Sequence, residues 1–283
     1  MHLLRQILLV LGLALALGSS AQDFTLHINK AITEINNLDV VCCAFNDSAN
    51  FDFKNSIVHV MPGTYDFEVF NNDSLSHTFT IDGLVEVDNV ILSGDSADFT
   101  VTFTEIGTTR YYSDDSSGGG LGASGHILVG YDQYDKYYWN LFDLDSAMTY
   151  QLSDGSITEV PSTYQPELFF INGRHFPYTL EDPDAYVQAQ IGDTLIISIV
   201  NSGHMDHVLH FHGFHAKILD IEILSSRVDW VKDSFPLKQE ETMTIMLVPD
   251  LEGTYPVHDH NLIAVTNAGF YPGGMITHLV IAP

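Results

Sequence analysis

Histidines are the residues of this chain that most clearly indicate chemistry. Nine of the 14 lie from residue 165 onward, and five of those nine fall between His204 and His215. In His210-Phe211-His212 the two histidines are two residues apart, so on a strand both imidazoles leave the same face. His258-Asp259-His260 repeats the spacing. If the two strands are neighbours, four imidazoles meet on one surface and can bind copper, zinc, iron or nickel.

The alternative for this cluster is a set of surface or hydrogen-bonding histidines without a metal. Asp259 stands between two of the histidines, so its side chain points to the opposite face, where we expect it to meet His207. A carboxylate and an imidazole there can hold a divalent ion or form a buried hydrogen-bonded pair, and we favour the pair. His204 and His215 flank the cluster as candidate accessory groups.

Short runs of alternating apolar and β-branched residues predict the strands that position these histidines. In the first half the runs are residues 57–61, 65–70, 77–81, 99–103 and 127–129. In the second half they are residues 168–171, 186–190, 194–200, 208–211, 242–248 and 275–281. The pattern predicts an all-β chain of two β-sandwiches of similar size. We place the first domain at residues 22–132, a linker at 133–164 and the second domain at 165–283.

Charge and the amino terminus limit the classes of function. The 10 Lys and Arg residues face 37 Asp and Glu residues, a formal charge of −27, so no nucleic acid or membrane surface is expected as a partner. Residues 1–21 have the charged start, short apolar run and small terminal residues of a signal peptide. The run is too short to span a bilayer. We therefore expect export to the periplasm or the extracellular space.

Two features leave alternatives open. Cys42 and Cys43 are adjacent and cannot link distant parts of the fold, so they form either a strained bridge or two buried thiols, and we favour thiols. The aromatic tract at residues 131–139 offers a surface patch for a partner or packs over the seam between the domains, which is the commoner use.

Several motifs of the second half resemble the cupredoxin domains of multicopper oxidases. Residues 170–177, 191–194, 207–213 and 253–260 match that family in order and spacing, followed by Gly274-Met275. The segment His260-Asn261-Leu262-Ile263 is also similar to the second domain of copper nitrite reductases. The first half resembles a degenerate cupredoxin domain through residues 44–46, 62–64 and 71–83. The resemblance implies two cupredoxin-like Greek-key β-sandwich domains.

The resemblance also implies metal ligands, with copper as the cofactor. It makes His210 and His212 type 2 and type 3 ligands, His258 and His260 type 3 ligands, and His207 the first ligand of a type 1 site. A type 1 blue site needs a thiolate and two histidines. Here Asp259 replaces the thiolate, Ala264 replaces the second histidine, and only Met275 remains as an axial candidate. We expect the blue site to be lost.

The first domain departs from the family pattern as well. Tyr112-Ser113 stands where the family has Tyr-Cys, and Asp82 stands five residues after His77 in place of a histidine. Neither copper site of that domain is therefore expected to be complete. We interpret His77, His59 and His126 as structural histidines.

Three functions follow as hypotheses. The first is a copper-dependent oxidoreductase with a histidine-only site, acting on a small molecule or metal ion with dioxygen, another small oxidant or nitrite; no catalytic residue is assigned. The second is a copper-binding or sequestration protein without turnover, and the third is a structural cupredoxin module. The family's trinuclear cluster uses eight histidines, so the four here form a smaller centre or are completed by another chain. The resemblance implies a homo-oligomer, commonly a trimer.

Overall fold

The computed structural model describes residues 24–86 and 89–283. The predicted signal peptide, residues 1–21, lies outside the described residues. The described chain is built mainly of strands, which confirms the all-β prediction. Within these two ranges, no helix is long and apolar enough to cross a membrane.

The first domain is a sandwich of two sheets. Its strands are β1 (Phe24–Ile35), β2 (Leu38–Asn46), β3 (Val58–Val60), β4 (Gly63–Asn71), β5 (His77–Thr78), β6 (Thr80–Ile81), β7 (Val90–Ile91), β8 (Ser96–Phe103), β9 (Gly107–Tyr112) and β10 (Ser124–Val129). One sheet has the order β2-β1-β4-β8 and the other β3-β10-β9-β6, while β5 pairs with β7. In β4, Phe67 and Val69 are buried while Asp66 and Glu68 are exposed. This alternation builds the core between the sheets.

The second domain is a larger sandwich. Its elements are β11 (Asp135–Leu144), α1 (Ser146–Ser153), β12 (Leu168–Ile171), β13 (Val187–Gln190), β14 (Leu195–Asn201), β15 (His207–Phe211), β16 (Ala216–Ile221), β17 (Val231–Lys232), β18 (Ser234–Leu237), β19 (Thr242–Leu247), β20 (Gly253–Asp259) and β21 (Ile276–Ala282). The sheets have the orders β12-β11-β14-β19-β16-β17 and β13-β21-β20-β15-β18. Short 3₁₀ turns lie at Gly119–Leu121, Tyr178–Glu181 and Ser225–Arg227.

The boundary predicted for the second domain needs correction. Residues 133–164 were expected to be a linker, but β11 pairs along its length with β14 and at its end with β12. It is therefore an inner strand of the second domain's larger sheet. The chain that joins the two domains is therefore the short stretch 130–134 between β10 and β11, while α1 and the loop after it connect β11 to β12 within the second domain. The second domain begins near Asp135 rather than at residue 165.

The two domains share buried side chains. Phe53 of the first domain packs edge to face on Phe142 and Phe170 of the second, at centroid distances of 6.0 and 5.1 Å. Tyr138, from the aromatic tract, packs with Leu128 and Ile196 across the seam. The aromatic tract therefore packs between the domains, as the commoner alternative predicted.

The adjacent cysteines are both buried thiols. Cys42 and Cys43 lie on β2 and, as neighbours on a strand, point to opposite faces. Cys42 joins the cluster shared between the domains, and Cys43 joins the core of the first domain. Burial raises the pKa of both thiols, so they stay protonated and unreactive.

Gly173 marks a close approach of the domains and carries a first prediction. Its φ is +68°, and a Cβ there would lie 2.5 Å from the carbonyl oxygen of Phe53. We expect Gly173→Ala to lower the free energy of unfolding by more than about 1 kcal/mol in a denaturant titration. Gly155→Ala is the matched control, because Gly155 has a φ of +74° and open space around it. Equal losses in both variants would show that the approach to Phe53 costs nothing.

Candidate metal centre

The two histidine motifs lie on neighbouring strands. β15 and β20 pair antiparallel, with His210 directly opposite His258. Leu209 and Phe211 are buried in the core, as the alternation of β15 predicted. The two histidine pairs therefore face away from the core on one surface of the smaller sheet.

The four imidazoles form one group, which we call the histidine cluster: His210, His212, His258 and His260. The ring of His210 lies 4.9 Å from that of His212, 5.8 Å from that of His258 and 5.6 Å from that of His260. The Nε2 atoms of His212 and His258 are 3.0 Å apart. The sequence prediction that the four imidazoles converge is confirmed as geometry.

Hydrogen bonds orient two of these rings. His258 Nδ1 lies 2.8 Å from the carbonyl oxygen of Asp259, and because a carbonyl only accepts, Nδ1 donates. Its Nε2 then carries a lone pair that points at His212. His210 Nδ1 lies 3.0 Å from the Ser234 hydroxyl and 3.2 Å from the carbonyl oxygen of Asp233. The outward Nε2 of His210 is thereby also left to accept.

The charge state of His212 suits a metal ligand. Burial, followed by repulsion from His258 and His210, lowers the pKa of His212, so the ring is neutral at pH 7. Among residues 24–86 and 89–283, no three His, Cys, Asp or Glu side chains already have their donor atoms gathered around one metal position. The Nε2 atoms of His212 and His258 face each other, and neither His210 nor His260 completes a group of three donors with them. Neutral imidazoles are donors that fit copper.

Beneath the cluster, on the core side of β15 and β20, His207 is held between two carboxylates. Its Nδ1 lies 2.5 Å from Asp259 Oδ2, and its Nε2 lies 3.2 Å from Asp143 Oδ2. All three side chains are buried. We call this group the His207 lock. The favoured pair of Asp259 and His207 is confirmed, and Asp143 on β11 is an additional partner that the sequence did not indicate.

The lock favours an imidazolium. Burial by itself would lower the pKa of His207, but hydrogen bonds to Asp143 and Asp259 outweigh it and raise that pKa to about 9. An imidazolium donates from both nitrogens and has no lone pair for a metal. Metal ligation by His207 stays a prediction, and it would require this proton to leave.

The positions that the resemblance assigns to a blue site are linked by backbone hydrogen bonds. The backbone nitrogen of Asp259 donates to the carbonyl oxygen of Met275, and the nitrogen of Met275 donates to that of Ala264. Met275 and Ala264 are both buried. Asp259, Ala264 and Met275 are thus linked through their backbones, and none of the three carries a thiol.

The predicted accessory histidines have different surroundings. His215 is exposed. The backbone nitrogen of His204 donates to Asp143, and its ring packs edge to face on Tyr164 at 5.2 Å. Its Nε2 is buried and finds no hydrogen-bond partner among the described residues.

The histidines interpreted as structural are tied to the protein in different ways. His59 Nε2 lies 2.7 Å from the carbonyl oxygen of Gly130. His126 is buried, and burial lowers its pKa to about 3. His77 is held between Asp73 and Asp115. Asp82 instead binds Arg110 and Tyr112.

The His207 lock predicts a pH dependence of stability. The folded-state pKa of about 9 exceeds the unfolded value of about 6.5, so the stabilisation is complete below pH 6.5. It is lost as the pH rises through 9, by up to about 3 kcal/mol. Denaturant titrations at pH 6, 7.5, 9 and 10 measure the loss. In His207→Gln we expect the free energy of unfolding to depend less on pH. The same pH dependence as in the wild type would contradict the role of the His207 proton.

The sequence of the second half matches a known family model. Residues 144–272 match the model of the multicopper oxidase family. Comparison with curated proteins gives no match.

Solved structures of similar fold cover nearly the whole chain. The blue copper oxidase from Nitrosomonas europaea is 20% identical with a TM-score of 0.76, over 92% of this chain and 85% of that one. The copper nitrite reductase from the same organism is 18% identical with a TM-score of 0.67, over 92% and 94%. The laccase from Botrytis aclada is 15% identical with a TM-score of 0.69, over 91% and 52%. These similarities establish the fold of two cupredoxin domains.

Proposed function

We propose that this chain is an exported copper protein whose histidine cluster binds the metal, because residues 144–272 match the model of the multicopper oxidase family. The observation that carries the proposal is the pairing of β15 with β20. It sets His210 opposite His258 and places the ring centroids of His212, His258 and His260 between 4.9 and 5.8 Å from that of His210. Its activity is that of a copper-dependent oxidoreductase without a blue site.

The residues of the histidine cluster would have different roles in such a copper site. Bound copper would supply one-electron exchange with a small oxidant such as dioxygen or nitrite. His212 and His258 present two facing nitrogens, and the carbonyl oxygen of Asp259 keeps His258 in the tautomer that can ligate. His212 and His260 are exposed, so small molecules reach the cluster from solvent.

The route of electrons follows from the His207 lock. Where a blue site would hold a thiolate and copper, this domain holds an imidazolium between carboxylates. These groups do not change oxidation state. We therefore propose that the reductant, a small molecule or a metal ion, delivers electrons directly at the histidine cluster.

A second candidate function is copper binding without turnover, for sequestration or delivery. The histidine cluster together with the His207 lock favours this function as well, because a copper carrier needs ligands but no site at which electrons enter. Turnover separates the two: oxidation of a phenol or a metal ion by dioxygen, or reduction of nitrite, is expected only of the oxidoreductase.

The proposal includes export and assembly. Residues 1–21 are proposed to direct export to the periplasm or the extracellular space. The cluster lies at the surface and offers four of the eight histidines of the family's trinuclear site, so we propose that a homo-oligomer, a trimer by family resemblance, brings further ligands to it. Light scattering after size exclusion tests this, and a monomer with full copper loading would rule out the shared site.

The deciding experiment is metal analysis of the copper-loaded chain with optical and paramagnetic resonance spectra. We expect bound copper with nitrogen hyperfine structure and no intense blue thiolate band. A strong blue band would overturn the loss of the type 1 site. The lack of bound copper would overturn both functions and leave a structural module.

A further inference from the structure

The first domain contains a buried charge network that the proposed copper chemistry does not use. His77 is 1% exposed, and its Nε2 lies 2.8 Å from Asp73 Oδ2. Its Nδ1 lies 3.1 Å from Asp115 Oδ2. Since both ring nitrogens face carboxylates, the geometry is that of an imidazolium donating twice. We call Asp73, His77 and Asp115 the His77 lock.

Other groups face this lock from neighbouring strands. Lys30 on β1 contacts Asp73 at 2.6 Å and donates to the carbonyl oxygen of Ser153, at the end of α1, at 2.9 Å. The Cys43 thiol on β2 is neutral, because burial raises its pKa. The facing charges are therefore two carboxylates, one ammonium and the imidazolium. They balance only while His77 carries its proton.

Asp115 also organises the glycine loop, residues 116–122. Its carbonyl oxygen accepts from the backbone nitrogens of Gly118 and Gly119 at 3.2 and 2.8 Å. Its carboxylate accepts from the Ser117 hydroxyl at 2.6 Å. Gly118 packs against the imidazole so closely that a Cβ there would lie 2.8 Å from His77 Nδ1. The loop and the lock are therefore one packed unit.

The glycine loop forms a wall between the domains. It borders a cavity of about 330 Å³ that Arg110 lines from the first domain and that Ser202, His204 and Gln239 line from the second. Gly120 lies against Leu152 and Val160 of the segment that follows β11. Movement of this loop would therefore change the shape of the cavity at the seam.

We propose that the His77 lock is a protonation-controlled latch that holds the glycine loop in place as a wall of the cavity between the domains. A neutral imidazole has a single N–H and can donate to only one of the two carboxylates. When the proton leaves, two carboxylates face one ammonium and a neutral ring. Asp73 keeps Lys30, whereas Asp115 keeps only the neutral hydroxyl donors of Ser113 and Ser117. The uncompensated negative charge is costly, and because the Asp115 side chain is already 27% exposed, movement of the loop can carry it further into water.

The direction of the switch follows from the charges. Burial lowers the pKa of His77, but hydrogen bonds to Asp115 and Asp73 outweigh it and raise the pKa above the usual 6.5. Hydrogen bonds from His77 hold the pKa of both carboxyl groups below their usual range, against the opposing effect of burial. The latch therefore holds the loop at pH values below the pKa of His77 and releases it as the pH rises through that pKa.

Amide hydrogen exchange of the full chain tests the latch between pH 6 and 10. We expect the protection factors of residues 114–123, corrected for intrinsic exchange, to fall about tenfold or more while those of β4 and β10 stay level. The midpoint should coincide with the titration of the His77 ring followed by ¹⁵N NMR. The proposal would be overturned if the protection factors of the loop did not change with pH. It would also be overturned if their midpoint differed from the midpoint of the His77 titration.

Variants separate the latch from general destabilisation. His77→Gln should show low loop protection at every pH, without a step. Gly118→Ala leaves every charge in place but pushes the loop off the imidazole, and it should lower protection at neutral pH. His59→Gln is the control, because His59 bonds only to a carbonyl oxygen, and it should keep the wild-type curve. If His77→Gln does not fold, the coincidence of midpoints in the wild type still decides.

Discussion

Replacing His210 and His258 together by alanine is expected to remove copper from the second domain. The two residues face each other across β15 and β20, so the double variant takes one ligand from each motif. Even groups that only support ligands change metal affinity 10- to 100-fold, so we expect the loss of two ligands to exceed about a hundredfold. Copper stoichiometry after dialysis, with the nitrogen hyperfine structure in the resonance spectrum, measures the loss.

The control for this experiment removes two imidazoles elsewhere. His27 and His59 are partly buried in the first domain, outside the histidine cluster. The variant with both replaced by alanine should bind as much copper as the wild type. Unchanged stoichiometry in the His210 and His258 variant would end the ligand assignment. A loss in both variants would instead indicate binding that depends on the fold as a whole.

His207→Gln is expected to lower the free energy of unfolding at pH 7 by about 3 to 5 kcal/mol. The substitution removes the positive charge between Asp143 and Asp259, which are both buried, and leaves two carboxylates without it. Such a loss is a large part of the stability of an ordinary domain. Denaturant titration of the metal-free protein measures it without any contribution from copper.

A second substitution identifies the cause of that loss. If uncompensated charge is responsible, adding Asp259→Asn to His207→Gln should recover part of the stability, although Asp259→Asn by itself destabilises the wild type. The exposed His215→Gln serves as the control and should change the free energy of unfolding by less than about 0.5 kcal/mol. Additive losses in the double variant would contradict the charge explanation.

The sequence predicted the histidine cluster because the relevant information is local. The spacing along a strand decides which side chains share a face. It placed His210 and His212 on one face, and it placed Asp259 on the face of its strand that His258 does not use. Only the neighbouring position of β15 and β20 had to be assumed. The structure supplies that neighbour relation.

Asp143 was missed because β11 does not look like an amphipathic strand. Its last seven residues are all buried, since the strand lies inside a sheet covered on both faces. Period-two alternation disappears in such a strand, so the tract was interpreted as a linker. Asp115 was missed for a different reason. It lies 38 residues after His77, and no local pattern connects a loop carboxylate to a distant imidazole.

The His207 lock also sets the order in which the second domain folds and acquires metal. Where metal ligands assemble only in the folded chain, the free energy of metal binding becomes part of the free energy of folding. In the His207 lock, a proton on His207 provides the positive charge between Asp143 and Asp259 that a metal ion would otherwise provide, at any pH below about 9. Asp259, held by His207, accepts from the backbone nitrogens of Val208 and Asn261 and so pins the turn beside His260. We expect the second domain to fold without copper, so that the metal binds to a chain that is already folded and the fraction of chains with bound copper depends on the copper concentration.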